Sequence, residues 1–157
     1  MKLITALSLL LIPVSLTAAT LEVGSPLVLT LNDQHDVPHS VQDETRVLIF
    51  SAERDMSSQV ETALEGETAE TLAAAGVLYV ADISAMPGMV TRLIALPKMR
   101  KRPYPMLLGR ESEETAMLPR EPANVTLIEL NGGQIEAIRF IPDAPSLRIA
   151  LGLAPAQ

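Results

Sequence analysis

Val47-Leu48-Ile49-Phe50-Ser51-Ala52-Glu53-Arg54-Asp55-Met56-Ser57-Ser58 is the stretch on which the reading of this chain turns. Its first four residues are a continuous apolar run, the pattern of a strand covered on both faces. A polar turn follows. Met56, Val60, Ala63 and Leu64 then recur at helical spacing, which predicts a helix from about Asp55 to Ala75, with Gly76 placed to terminate it. Gly66 weakens the middle of that span, so one helix or two pieces are both open. Val77-Leu78-Tyr79-Val80-Ala81 is a second strand of the buried type. Strand, helix and strand in this order make a βαβ unit with parallel strands and a right-handed crossover.

Upstream, Leu27, Leu29 and Leu31 alternate as a half-buried strand requires, and Asn32-Asp33-Gln34-His35-Asp36 reads as a turn. Downstream, Pro87-Gly88 opens a second helix whose apolar residues are Met89, Val90, Leu93, Ile94 and Met99, with Pro97 expected to kink or end it. Tyr104-Pro105-Met106-Leu107-Leu108 is a short strand opening on a proline, and residues 109–122 are an acidic loop without apolar period. Val125 to Leu130, then Asn131-Gly132-Gly133, then Gln134 to Ile141 predict an antiparallel hairpin, because Asn-Gly tolerates the positive φ that a tight turn needs. Asp143 is a good N-cap for a last helix carrying Leu147, Ile149 and Leu151.

This order of elements resembles the thioredoxin superfamily. Leu31-Asn32-Asp33-Gln34 followed by Arg46-Val47-Leu48-Ile49-Phe50 is similar to the entry of its peroxiredoxin-like and copper-chaperone-like branches. Ala85-Met86-Pro87-Gly88-Met89 and the closing hairpin resemble the periplasmic YtfJ-type members. The resemblance implies an α/β fold: a three-layer sandwich around a central mixed sheet, with a parallel βαβ half and a C-terminal antiparallel hairpin plus helix. It also puts Asp55 and Ser58 where the family carries its cysteine pair. The family's cis-proline, which faces that turn, is expected at Pro105, with Arg102-Pro103 as the alternative. Glu53, Arg54, Asp55, Ser57 and Ser58 would then form a groove with Tyr104 and Pro105 for an extended segment of a periplasmic protein or peptide.

The chain contains no cysteine, so no thiolate is available as redox nucleophile or soft-metal ligand. Met1 to Ala19 has the parts of a secretory signal: Lys2, an apolar run broken by Pro13, and the small residues Thr17-Ala18-Ala19. A cleaved leader at 1–19, a single domain at 20–157 and a periplasmic address are therefore expected. The formal net charge of −7 disfavours nucleic acid. Aromatic residues at 3% and the absence of Trp remove the stacking surfaces that sugar and single-strand sites use.

No motif points to a cofactor. His35 and His39 sit near Asp33, Asp36, Asp43 and Glu44, but Pro38 breaks the helix that would align the two imidazoles, so no metal site is expected. Ser51, Ser57 and Ser58 at a helix head read as capping groups, and no nucleophile elbow or Ser-x-x-Lys occurs. The residues favour a binding or accessory role. An enzyme using oxygen- or carboxylate-based chemistry, with Asp55 or Ser58 at its centre, is the alternative. Arg92, Lys98, Arg100, Lys101 and Arg102 gather much of the positive charge. They fit either a helix end whose cations answer its dipole or a docking patch for an anionic envelope surface.

Overall fold

The computed structural model describes residues 21–153, so the expected leader lies outside the described residues. Five strands form the central sheet in the order β5-β4-β3-β6-β7. They are β3 (Val47–Ser51), β4 (Val77–Asp82), β5 (Leu107–Gly109), β6 (Val125–Asn131) and β7 (Gln134–Ile141). A separate antiparallel pair, β1 (Thr30–Asn32) and β2 (Pro38–Ser40), precedes them.

β3 and β4 run parallel with Val47 opposite Val77 and Ser51 opposite Ala81, and β5 adds a third parallel strand. β6 and β7 are antiparallel and complete the other edge. Between β3 and β4 the chain makes two helices, α1 (Arg54–Ala63) and α2 (Ala69–Ala75). They are separate pieces: Gly66 takes φ +86° in the link, and Gly76 closes α2 in the left-handed conformation. A side chain at position 76 would also strike the Glu44 carbonyl, since its Cβ would stand 2.6 Å away. The hairpin turn has positive φ at both Gly132 and Gly133, the geometry that matches strand twist. Asp143 caps α5 (Ala144–Ala150) by accepting from the Ser146 amide at 2.8 Å.

Alternation along the strands splits the interior in two. Ile49, Tyr79, Ala81 and Leu127 face the helical layer, meeting Met56, Val60, Leu64, Leu72 and Leu147. Leu48, Phe50, Val80 and Ile128 face the opposite way, where Leu27, Leu29, Leu31 and Leu118 cover them. The leucine alternation of the N-terminal segment shows in burial, with Val28 exposed, but the strand itself covers only Thr30–Asn32 and leaves Leu27 and Leu29 outside it. One outer layer is helical. The other is an N-terminal segment together with the 110–120 loop.

The segment 88–99 is a helix in three parts: α3 (Gly88–Val90), a π turn over Thr91–Ala95, and α4 (Leu96–Met99). The helix runs past Pro97 and ends at Met99. The proline lies in the first turn of α4, immediately after the wide turn, where its missing N–H is least costly. Both crossovers move the same way along the sheet, so right-handedness places this helix on the same face as α1. Met86, Leu96 and Met99 pack there.

Candidate functional site

The head of α1 stands at the C-terminal end of β3, where parallel α/β sheets present their sites. Glu53 is the N-cap in extended conformation, without a capping hydrogen bond from its side chain. Its Oε1 instead accepts from the Ala123 amide at 3.2 Å. That bond ties the helix head to the lead-in of β6, and Ala123 sits there with φ +56°.

The hydroxyls of the turn are internally committed. Ser57 Oγ donates to the Glu53 carbonyl at 3.2 Å, and Ser58 Oγ donates to the Arg54 carbonyl at 3.3 Å. Ser57 Oγ also shares a hydrogen bond of 2.9 Å with Ser51 Oγ, which in turn pairs with the Tyr79 hydroxyl at 3.0 Å. Burial pushes the Tyr79 phenol well above its ordinary range, against the opposing effect of the Ser51 and Ser57 hydroxyls. A phenol held neutral in this way is a fixed hydrogen-bonding group and a poor acid or base at physiological pH. Arg54 and Asp55 are exposed on the first turn and make no ion pair among the described residues.

Tyr104 and Pro105 are elsewhere. They lead into β5, two strands from β3 and therefore roughly 10 Å across the sheet. The buried side chain of Gln34 clasps this segment, donating to the Tyr104 carbonyl at 2.9 Å and accepting from the Met106 amide at 2.7 Å. Tyr104 is 4% exposed, and burial pushes its phenol up to about 12. No peptide bond is cis among the described residues. The expected pairing of Pro105 with the Asp55–Ser58 turn is therefore corrected: the segment facing α1's head is 119–124. The physical reason is that Pro105 precedes β5, an edge strand outside the hairpin, whereas β6 is the strand beside β3. Glu53, Arg54, Asp55, Ser57 and Ser58 share one turn, but Tyr104 and Pro105 do not form its opposite wall.

A second polar cluster at the same rim gave no signal in the sequence. Asp82, at the end of β4, accepts from the Ser84 amide at 2.9 Å, the Ser84 hydroxyl at 2.6 Å and the Thr115 hydroxyl at 2.7 Å. Arg120 lies 3.3 Å from the same carboxylate and stacks over Phe50, 5.2 Å from the ring centre. Burial works against the charged form of Asp82, yet Ser84, Thr115 and Arg120 outweigh it and hold the carboxyl below its ordinary value. Asp33 behaves similarly. Burial opposes its ionisation, while the Val37 and His35 amides and His39 lower its pKa, so His39 serves a loop built on Asp33.

The basic residues divide. Arg102 pairs with Glu61, while Arg100 donates to the Gln34 carbonyl at 2.9 Å and lies 3.7 Å from Asp36. Arg92, Lys98 and Lys101 are exposed and make no ion pair among the described residues. Beside them the helix shows its apolar side chains to solvent: Met89 is 74% exposed, Leu93 69%, Ile94 53% and Val90 38%. The side chains that pack are instead Leu96 and Met99, both half-buried; the sequence reading grouped Met99 with the exposed set and did not include Leu96.

The strand order, the two parallel crossovers and the closing hairpin with its helix leave one comparison to make. Reduced Prx3 from Vibrio vulnificus superimposes with a TM-score of 0.54 at 17% identity, over 85% of this chain and 99% of that one. StoA from Bacillus subtilis gives 0.51 at 15%, covering 80% and 97%. The fold is thioredoxin-like. The thioredoxin domain of a thiol-disulfide oxidoreductase from Bacteroides vulgatus agrees, at 0.52 and 13%, over 86% of this chain and all of that one. No family model matches the chain, and no curated protein matches it. This is a thioredoxin-like fold without a single cysteine.

Proposed function

We propose that this protein is a redox-inactive thioredoxin-fold module of the bacterial envelope that works by docking, in a non-catalytic, accessory role. The secretory pattern of Met1 to Ala19 supports the address. The absence of cysteine removes thiol chemistry, and the saturated hydroxyls at the head of α1 support a structural role for that turn.

The observation that carries the reading is the exposed stripe Met89, Val90, Leu93 and Ile94. Single exposed apolar residues are ordinary, but four large ones adjoining on one helix mark a surface that is covered when the protein works. Groove binding of an extended peptide between the α1 turn and Tyr104-Pro105 loses its support, because the two are not opposed.

Cell fractionation tests this reading. The wild-type chain is expected with the envelope fraction, and a Leu93→Glu, Ile94→Glu variant in the soluble periplasm. A wild-type chain that is as soluble as the variant would overturn it.

A further inference from the structure

The stripe's surroundings say what covers it. Between Asp82 and Glu111 the sequence has no carboxylate, although the whole chain has 19 Asp and Glu against 12 Lys and Arg. The same interval holds Arg92, Lys98, Arg100, Lys101, Arg102 and Arg110. Three of those cations make no ion pair among the described residues: Arg92, which falls between Val90 and Leu93 in the chain and lines a pocket with Leu96, Arg110 and Glu111, Lys98, which follows Ile94 by about one turn, and Lys101, just beyond the helix end.

We infer that helix 88–99 docks on an anionic phospholipid surface, with Met89, Val90, Leu93 and Ile94 entering the acyl boundary and Arg92, Lys98 and Lys101 meeting the phosphates. The inference rests on the docking function proposed above and names what is docked upon. An interfacial helix needs an apolar side, flanking cations and long side chains that carry their charge outward along an aliphatic stem. All three are present here. The helix is apolar nearly all round: Leu96 and Met99 satisfy the sheet, and the remainder has no counterpart within the described residues.

Charge decides against the simplest other occupant, a second copy of the chain. A two-fold contact would set this face against itself and bring Arg92, Lys98 and Lys101 of both copies together. Glu111, which lines a pocket with Arg92, sets one carboxylate against these three cations on each copy, and 83–110 supplies no other. An anionic membrane answers the same cations directly. The acidic remainder of the molecule is repelled from that membrane, which orients the helix toward it.

The test is co-sedimentation of the chain beginning at Thr20, which includes the whole described fold, with two kinds of vesicle. One is phosphatidylcholine alone and the other phosphatidylcholine mixed with phosphatidylglycerol. Binding is expected to the anionic vesicles only, and to be strong at about 0.1 M salt and weak at about 1 M. Lys98→Gln and Lys101→Gln are expected to weaken it about fivefold each. Leu93→Glu with Ile94→Glu is expected to lower it by more than tenfold, with circular dichroism unchanged because both positions are exposed. Equal binding to both vesicles, or binding indifferent to the Leu93 and Ile94 substitutions, would overturn the inference. Absence of vesicle binding by a chain that still fractionates with the envelope through Leu93 and Ile94 would overturn the lipid assignment alone, in favour of an acidic protein surface. Loss of both behaviours would remove the docking function too.

Discussion

Two helices leave the C-terminal ends of neighbouring parallel strands, and they manage their side chains in opposite ways. α1 follows β3 and encloses its polar groups: Ser57 and Ser58 turn back to the carbonyls behind them, and Ser51 holds the Tyr79 hydroxyl. The helix at 88–99 follows β4 and leaves a band of hydrocarbon in solvent. The first position is where the resemblance placed a cysteine pair, and here its serine hydroxyls are turned back on the helix's own backbone and on Ser51. The second is built like a surface waiting to be covered.

The contrast can be broken most forcefully at the closed rim. Gly109→Ala would place a Cβ 2.4 Å from Thr115 Cγ2, dislodging the hydroxyl that donates to Asp82. Overpacking of this kind costs about 3 kcal/mol, which chemical denaturation would measure. An unchanged midpoint would mean that the rim is looser than its hydrogen bonds suggest.

Ser51→Ala is expected to cost about 1.5 kcal/mol, because it strips a hydrogen bond from the buried Tyr79 hydroxyl and another from Ser57. If stability were retained, the head of α1 would not be the locked element described above.

Asp82 offers a subtler probe. Its folded-state pKa is depressed, so its contribution is complete above the ordinary carboxylate value of about 3.9. That contribution is lost as pH falls through the lower folded-state value. Asp82→Asn should therefore flatten the acid limb of a stability-against-pH curve. Superimposable limbs in wild type and variant would show that the carboxylate is not coupled to folding.

At the open helix, Leu93→Gln with Ile94→Gln should change stability by no more than about 0.5 kcal/mol, since neither side chain loses burial. A loss several times larger in thermal unfolding would place these residues in a packed contact and erase the difference between the two helices.

Local signals in the sequence were enough for the main sheet and its helices, but not for β2 or the π turn. The run Val47 to Phe50, Gly76 at the end of α2, the Gly132-Gly133 turn and the Asp143 cap each act through neighbouring residues, so each could be seen without a structure. Orientation was harder. Met89, Val90, Leu93 and Ile94 fit helical spacing as well as Leu96 and Met99 do, and the π turn between the two sets breaks the phase that would have told them apart. Gln34 clasping Tyr104 and Met106, or Asp82 meeting Thr115 and Arg120, joins residues far apart in the chain, and no periodicity reports such pairs. The lead-in to β6 was missed for a related reason. One proline before a strand looks like another until the sheet order shows that β5 is an edge.

The π turn at Thr91–Ala95 also acts as a phase dial. Rewinding it as regular α-helix at the same length would swing the first part of the helix by about 100° relative to Leu96 and Met99, carrying Met89 round toward the sheet. One register of hydrogen bonding thus separates a conformation of this chain that hides its oil from one that displays it.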